Sequence, residues 1–314
     1  MFELGSRAGT VLAGVWAFLV VGTIVVRVMK AVKPEADHKE LASRMTSWWV
    51  IVGLLSVALI LGRTTTILLI AFVSYLALKE YLTIIPSPLQ DRKVLIWAYL
   101  LIPLQFVFVN AGNFEMFLVL IPVYGLVVIA ISMILVGNTE NYIARIGTIY
   151  WGLMMAVFSL SHLAWLVVMP GAGETTTGAG LVLYVVLLTQ FNDVSQYIWG
   201  KSLGGPKIVP KVSPGKTWAG FLGGMGTSVV LAGLLGTWLT PLPWHLAALS
   251  GLLAAVAGFF GDLNMSCVKR DLCIKDTGAM LPGHGGILDR VDSLTLAAPL
   301  LCHFIRFFCY LDGS

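Results

Sequence analysis

The sequence predicts an all-α, polytopic membrane protein: a bundle of about ten (nine or ten) transmembrane helices. Apolar residues make up 58% of the 314 positions, and only 11% are charged. The mean hydropathy is +0.88. Apolar runs of about 20 residues, the length that crosses a bilayer as a helix, recur along the whole chain. These values lie far from those of a soluble domain, and the runs leave no room for a separate one.

Ten apolar runs are predicted as helices. In chain order they are 8–27, 47–62, 65–84, 94–111, 116–136, 146–169, 178–199, 218–240, 244–265 and 288–311. The second and third are short and could instead form one helical hairpin, which gives the range of nine to ten spans. No small-residue cleavage site follows the first run before Lys30 and Lys33, which favours a retained helix over a signal peptide.

The positions of the basic residues predict the orientation of the chain. If the N-terminus is outside, 17 of the 20 Lys and Arg residues fall in inside loops. Only Arg7, Arg63 and Arg306 fall on the other side. Cytoplasmic loops of membrane proteins carry such an excess of Lys and Arg. We therefore expect both charged C-terminal loops to face the cytoplasm. The net charge of +4 then reflects topology, and we expect no nucleic-acid partner.

Polar residues are unevenly distributed and divide the chain in two. Residues 1–177 have short connections and few polar groups, so we predict a scaffold and lipid-facing wall there. Residues 178–314 carry the polar clusters described below, so we expect the active site in this part. The four cysteines show no C-x-x-C pairing and no spaced histidine, which argues against a zinc site.

The first polar cluster lies at the end of the seventh predicted span. It comprises Gln190, Asn192, Asp193, Gln196 and Tyr197. Asn192 and Gln196 are four residues apart, as are Asp193 and Tyr197, so a helix groups them on neighbouring parts of one face. Hydrogen bonds between helices are the alternative interpretation. An aspartate within a membrane helix favours a functional role.

The second cluster is the loop 200–224, GKSLGGPKIVPKVSPGKTWAGFLGG. It contains four lysines: Lys201, Lys207, Lys211 and Lys216. Glycine lets the backbone approach a ligand, and the lysines supply positive charge, so we expect phosphate recognition. The loop is not a Walker motif, because Gly205 is too far from Gly215. The alternative is a positively charged inside loop that contacts lipid headgroups.

The third cluster is the stretch Ser266–Asp292, SCVKRDLCIKDTGAMLPGHGGILDRVD. Its 27 residues include four bases, four acids, a histidine and four glycines. Charge held this close to hydrocarbon is costly and marks a functional site by default. Asp262 and Ser266 are four residues apart, with Lys269 and Arg270 one turn further on. The preceding helix therefore presents an acid, a hydroxyl and two bases along one stripe.

The end of this stretch repeats the pattern on the next helix, where Asp289, Asp292 and Ser293 follow at i, i+3 and i+4. Asp262 and Asp289 can therefore converge from opposite sides of one loop. Carboxylates suit Mg²⁺, which uses one or two of them together with substrate phosphates. The structural alternative is a set of buried ion pairs, such as Asp289 with Lys269.

At this point the residues match a known family. The run Ser266-x-Val268-Lys269-Arg270-x4-Lys275-Asp276-x-Gly278-x2-Leu281-Pro282-x-His284-Gly285-Gly286-Ile287-x-Asp289-Arg290-Val291-Asp292 resembles the signature of the phosphatidate cytidylyltransferases (CDP-diacylglycerol synthases) without a gap. Asn192-Asp193 and Ser213-Pro214-x-Lys216-Thr217-Trp218-x-Gly220 are similar to that family in the same order. Gly215 stands where the family usually has a basic residue, and the first span resembles an addition to the family core.

The resemblance implies that CTP and phosphatidate react to give CDP-diacylglycerol and pyrophosphate, for phospholipid biosynthesis. The enzyme would be a multi-pass protein of the inner (cytoplasmic) membrane, with its active site facing the cytoplasm and membrane lipids around it. Asp262 and Asp289 would bind one or two Mg²⁺ ions; a second, monovalent cation and a homodimer are left open. No Ser-His-Asp pattern is evident, so we expect catalysis by positioning and charge neutralisation.

The resemblance also gives each residue a role. The catalytic group would be Asp262, Asp289, Lys269, Arg270 and His284, where His284 either donates to phosphate or orients Asp289. The substrate-binding group would be Asn192, Asp193, Ser213, Lys216, Thr217, Ser266, Lys275, Arg290 and Asp292.

Two alternatives stay open. The same CTP chemistry could act on another lipid phosphate, such as an isoprenoid-ether lipid. Ten spans with intramembrane acids also suit an ion-coupled transporter, although no inverted repeat is visible. A CDP-alcohol phosphotransferase is excluded, because its D-G-x2-A-R…D-x3-D pattern is absent.

Overall fold

The computed structural model describes residues 5–32, 39–86, 92–169, 177–278 and 285–311, and most of these are helical. Over those ranges the backbone forms no β-strand, and Lys207 and Thr217 form an isolated antiparallel bridge. The predicted all-α architecture is therefore confirmed.

Twelve α-helices follow one another along these ranges. They are α1 (Ser6–Val32), α2 (Lys39–Leu61), α3 (Arg63–Ile84), α4 (Arg92–Ala111), α5 (Phe114–Val119), α6 (Leu126–Val136), α7 (Tyr142–Leu153), α8 (Leu160–Val168), α9 (Gly178–Leu203), α10 (Trp218–Leu239), α11 (Trp244–Asp271) and α12 (Leu288–Arg306). Short π-helical segments join α5 to α6, join α7 to α8, and extend α12 to Leu311.

Nine helical runs of the described chain are long and apolar enough to cross a membrane. The joined pairs α5–α6 and α7–α8 each count as one run, and α2 contributes only the shorter apolar segment Met45–Leu61. The count therefore falls within the predicted nine to ten. Only Gly62 separates α2 from α3, with φ of 112°, a conformation that side-chain-bearing residues rarely adopt. The two helices pack against each other, as the hairpin alternative expects.

The last four helices, α9 to α12, pack closely because glycines let their backbones approach. A Cβ atom added at Gly220 of α10 would lie 2.6 Å from the carbonyl oxygen of Gln196 in α9. One added at Gly261 of α11 would lie 2.6 Å from the carbonyl oxygen of Asp292 in α12. Small residues at such crossings are typical of membrane helix packing. This packing brings the three polar clusters to one end of the bundle.

Two helices of the first part of the chain, α3 and α8, also pack against α12. The C-terminal end of α3 contacts Thr277 and Ile287 of the signature run Ser266–Asp292. The outward faces of the bundle are apolar; Leu135, for example, is 82% exposed. Apolar residues that face outward are suited to contact with lipid.

Candidate active site

The centre of the polar end is an ion pair between Lys216 and Asp262. Lys216 lies two residues before α10 and Asp262 lies on α11, and their Nζ and Oδ2 atoms are 2.6 Å apart. The ammonium group also donates to Oε1 of Gln196 in α9, at 3.3 Å. Below it lies the ring of Phe259, with its centroid 5.5 Å from Nζ. The ammonium group of Lys216, just before α10, therefore contacts both α9 and α11.

The surroundings of Lys216 keep this side chain charged. Burial alone would lower the pKa of the Lys216 ammonium, but the attraction of Asp262 and its hydrogen bond outweigh burial, with Asp193 and Asp292 adding to it. The pKa lies above its ordinary value of 10.5. The stabilisation that accompanies this shift is complete below the ordinary value and is lost only as the pH rises through the folded-state pKa. Lys216 is thus a fixed cation at neutral pH.

Asp193 and Asp292 lie beside this pair. Oδ2 of Asp193 accepts a hydrogen bond from the Ser293 hydroxyl at 2.8 Å, and Oδ1 of Asp292 accepts one from the Ser293 amide at 2.8 Å. Both carboxylates interact electrostatically with Asp262. Oδ1 of Asp193 is buried and has no hydrogen-bond donor among the described residues. The site therefore concentrates three carboxylates and leaves one acceptor atom unsatisfied.

Arg290 supplies a second cation near Asp193. The two groups interact electrostatically across the junction of α9 and α12. The Nε atom of Arg290 is buried, and no acceptor for it lies in the described part of the chain. The site therefore has one unsatisfied donor and one unsatisfied acceptor. A bound ligand can supply the missing hydrogen bonds to both.

Asp289 is held by Lys269, by two backbone amides and by the Thr277 hydroxyl, whose single proton it shares with Glu80. Its Oδ1 atom pairs with Nζ of Lys269 at 2.7 Å. Its Oδ2 atom accepts from the amide and the hydroxyl of Thr277, each at 2.9 Å, and from the amide of Gly286 at 3.2 Å. The structure thus contains the Asp289–Lys269 ion pair that was the structural alternative to a metal site.

The donor set fits a magnesium ion that is completed by substrate phosphates. No group of three His, Cys, Asp or Glu residues is arranged to hold a metal by itself within the described ranges. Asp262 is partly accessible, and Asp193 has a buried oxygen without a donor. Mg²⁺ commonly takes one or two carboxylates and fills the remaining positions with water and phosphate. At Asp289 an ion would have to replace the Lys269 ammonium, so the Asp262–Asp289 assignment stays a prediction.

Residues of the 204–217 loop have mainly backbone and capping contacts. Thr217 caps α10, because its buried hydroxyl accepts from the Gly220 amide at 3.1 Å. Ser213 donates its amide to the Val209 carbonyl at 2.9 Å, which closes a turn before Lys216. Arg270 of α11 donates to the Val212 carbonyl at 3.1 Å and so anchors the loop. These contacts explain how the loop holds Lys216 in place.

Asn192 connects three helices, as the hydrogen-bonding alternative expects. Its Oδ1 atom accepts from Ser228 of α10 at 3.2 Å, and its Nδ2 atom donates to Ala255 of α11 at 3.4 Å. Tyr197 corrects the predicted grouping: its side chain is 61% exposed and lies away from the site. Asp193 and Tyr197 differ in their angular position around the axis of α9. This difference is enough to put Asp193 inside the bundle and Tyr197 outside.

Three predicted residues remain: Ser266, Lys275 and His284. The Ser266 hydroxyl donates to Oδ1 of Asp262 at 3.4 Å, so it supports the central carboxylate. Lys275 is exposed beyond the end of α11. His284 lies outside the described residues.

Three residues of the site were missing from the predicted set: Glu80, Thr277 and Ser293. Ser293 belonged to the i, i+3, i+4 pattern on α12, and its hydroxyl proves to contact Asp193. Thr277 lies inside the signature and contacts Asp289. Glu80 is the only acid in α3, and a lone acid in a membrane helix is the signal that could have identified it.

Comparison with known proteins identifies the family. The model of the cytidylyltransferase family matches residues 42–308. The uncharacterized protein YnbB of Escherichia coli (strain K12) is 42% identical over 299 residues, 95% of this chain and 98% of the relative. A phosphatidate cytidylyltransferase of Bacillus subtilis (strain 168) is 30% identical over 260 residues, 79% of this chain and 91% of the relative.

A phosphatidate cytidylyltransferase of Brucella abortus biovar 1 (strain 9-941) is 40% identical over 163 residues, which is 51% of this chain and 58% of the relative. The family match thus spans most of the chain, including all three polar clusters, and the resemblance predicted from the signature is confirmed. This multi-pass membrane protein belongs to the cytidylyltransferase family.

Proposed function

We propose that the protein condenses CTP with phosphatidate to give CDP-diacylglycerol and pyrophosphate, at the cytoplasmic face of the inner membrane. Family membership already implies a nucleotidyltransferase that uses CTP and a membrane lipid. The observation that carries the proposal is the pair of lysine–aspartate contacts, Lys216–Asp262 and Lys269–Asp289, at one end of an apolar bundle. This arrangement favours a site for two phosphate-bearing substrates over the transporter alternative.

The chemistry requires two polyanions to meet. A phosphate oxygen of phosphatidate attacks the α-phosphorus of CTP, the bond to the leaving pyrophosphate breaks, and the new phosphoanhydride joins lipid to nucleotide. Such a transfer depends on alignment and charge neutralisation. Lys216 and Lys269 supply fixed positive charge from two sides, and Arg290 adds a third cation beside Asp193.

Magnesium, when bound at Asp262 and Asp289, would reduce the negative charge on the phosphate oxygens. The protein's own contribution is orientation. Ser266 supports Asp262, and Thr277 and Gly286 fix Asp289. The close contact between α11 and α12 at Gly261 sets the separation of the two helices that carry these aspartates.

The proposal can be tested with purified full-length protein in mixed micelles of detergent and phosphatidate. Transfer of radiolabel from α-labelled CTP into extracted lipid measures the reaction directly. Asp262→Asn is expected to lower it roughly 100-fold or more, because a lost metal contact removes several kcal/mol of transition-state stabilisation. Asp271→Asn, an exposed position at the end of the same helix, is the matched control and should retain activity.

Three results would contradict the proposal. Wild-type turnover by Asp262→Asn, with protein that is folded, would remove Asp262 from the site. Full activity in excess EDTA would exclude the divalent cation. Incorporation with an isoprenoid-ether lipid phosphate but not with phosphatidate would favour the alternative substrate.

A further inference from the structure

A glutamate from the first part of the chain reaches into the signature. Glu80 lies near the C-terminal end of α3, and only 9% of the residue is exposed. Its Oε1 atom accepts a hydrogen bond from the Thr277 hydroxyl, and its Oε2 atom accepts one from the Ile287 amide at 2.7 Å. One carboxylate therefore binds two points of the signature that are ten residues apart.

The contact with Thr277 continues to the predicted metal ligand. The same hydroxyl lies 2.9 Å from Oδ2 of Asp289, so two carboxylates share its single proton, and the Thr277 amide also donates to Oδ2. Asp289 in turn pairs with Lys269. The four side chains form one chain of contacts that runs from α3, through the signature, to α12 and α11. A displacement of Glu80 would therefore change the donors around Asp289.

Two glycines next to these contacts leave the space that the Glu80 side chain occupies. A Cβ atom at Gly286 would overlap the Glu80 carboxylate. One at Gly278 would lie 3.0 Å from Cδ of Glu80. Both glycines belong to the signature run, and the structure gives a reason for each: any side chain there would push Glu80 away.

We propose that Glu80 is a positioning residue of the nucleotidyl-transfer site. It fixes Thr277 and Ile287, and through Thr277 it fixes the carboxylate of Asp289 against Lys269. It touches no substrate itself. This inference rests on the proposed function, because it assigns Glu80 to the same site.

Two substitutions separate a positioning role from a purely structural one. Glu80→Ala removes both acceptors and is expected to lower kcat/KM for CTP by about 10–100-fold, the range for residues that orient a metal ligand. Part of this loss should be a rise in the KM for CTP. A smaller fraction of folded protein would lower only the apparent kcat, so a change in KM indicates a positioning role. Glu80→Gln keeps an oxygen for the Ile287 amide. Its NH₂ group can donate to the Thr277 hydroxyl, which then gives its proton to Asp289, so this variant should recover most of the loss. Glu115→Ala, an exposed acid on α5, is the control.

A double-mutant cycle tests the route through Thr277. Thr277→Val keeps the shape of the side chain and removes the hydroxyl. If Glu80 acts through Thr277, the effect of Glu80→Ala on kcat/KM should shrink several-fold in the Thr277→Val background. Additive effects, or a Glu80→Ala protein with the wild-type KM for CTP and wild-type kcat per folded molecule, would overturn the proposal.

Hydrogen exchange provides a readout that needs no turnover. Peptides that contain the Ile287 amide should exchange faster in Glu80→Ala than in the wild type or in Glu115→Ala, because that amide loses its acceptor. Unchanged exchange would overturn the anchoring. A wild-type protein without activity on phosphatidate would overturn only the proposed function, and faster exchange in Glu80→Ala would then still support Glu80 as the anchor of Ile287.

Discussion

Lysine ammonium groups hold two of the carboxylates that the family resemblance assigns to catalysis. Lys216 holds Asp262 and Lys269 holds Asp289, at 2.6 and 2.7 Å. Ion pairs that are removed from water require good geometry to offset desolvation, and the loss of one partner leaves a charge uncompensated. The lysines therefore serve two purposes: they stabilise the acids in the folded protein and place positive charge where phosphates are expected.

Lys216 allows a direct test of this double role. Lys216→Met retains the length of the side chain but removes its charge, so Asp262 and Gln196 lose their donor. We expect a loss of about 1.5–3 kcal/mol in the free energy of unfolding, the range for hydrogen bonds to charged groups. CTP-dependent activity should fall at the same time. Thermal unfolding in detergent and label incorporation measure the two effects.

Lys211→Met is the control for that experiment, because Lys211 is an exposed lysine of the same loop. It should change neither quantity appreciably. Equal effects of the two substitutions would show that only the overall positive charge of the loop matters.

Two helices of the site are longer than their apolar runs. α9 continues to Leu203 and α11 to Asp271, whereas hydropathy placed their ends at 199 and 265. Hydropathy measures the part of a helix that lies in hydrocarbon, and a helix continues past it while its backbone hydrogen bonds are satisfied. The extension of α11 carries Ser266, Lys269 and Arg270 on the helix, as their spacing predicted.

The glycine contact between α9 and α10 makes a prediction at this scale. Gly220→Ala places a methyl group against the Gln196 backbone, so the two helices must separate. Overpacking of this kind costs about 1–3 kcal/mol. The melting temperature of the purified protein should fall, and activity should fall with it, because Gln196 also binds Lys216.

Gly233→Ala is the matched control on the same helix. No atom lies within 4 Å of the position that its Cβ would occupy. Alanine favours helix over glycine by up to roughly 1 kcal/mol, so this variant should be as stable as the wild type or slightly more so. A destabilisation of the same size in both variants would rule out the close contact as the cause.

For the whole molecule, local patterns predicted more than long-range contacts. Class, helix number and the stripe of Asp262 with Lys269 follow from hydropathy and spacing within a few turns. The partners of Asp289 could be named only as alternatives, because a metal ion and a lysine satisfy the same carboxylate. Glu80 was missed for a different reason. No periodicity relates α3 to residues about 200 positions later, and only the packing of α3 against α12 brings them together.

The orientation of the bundle can be measured with the native cysteines. Cys267 and Cys273 are exposed near the end of α11, while Cys302 is buried. If the active site faces the cytoplasm, a membrane-impermeant maleimide should label the first two in inverted membrane vesicles and not in intact cells. Replacing both by serine should remove the signal. Equal labelling from the outside of intact cells would reverse the predicted topology.

The reach of Glu80 across the sequence has a consequence for how the protein is made. Its two partners follow it by 197 and 207 residues. At 5–20 residues per second, translation leaves α3 waiting about 10–40 s for them. During that time a newly inserted helix carries a carboxylate without its final donors, at the membrane boundary where such a group is costly. Completion of the signature ends this exposure, so a nascent chain that stops before α12 should be recognised and degraded as unfinished.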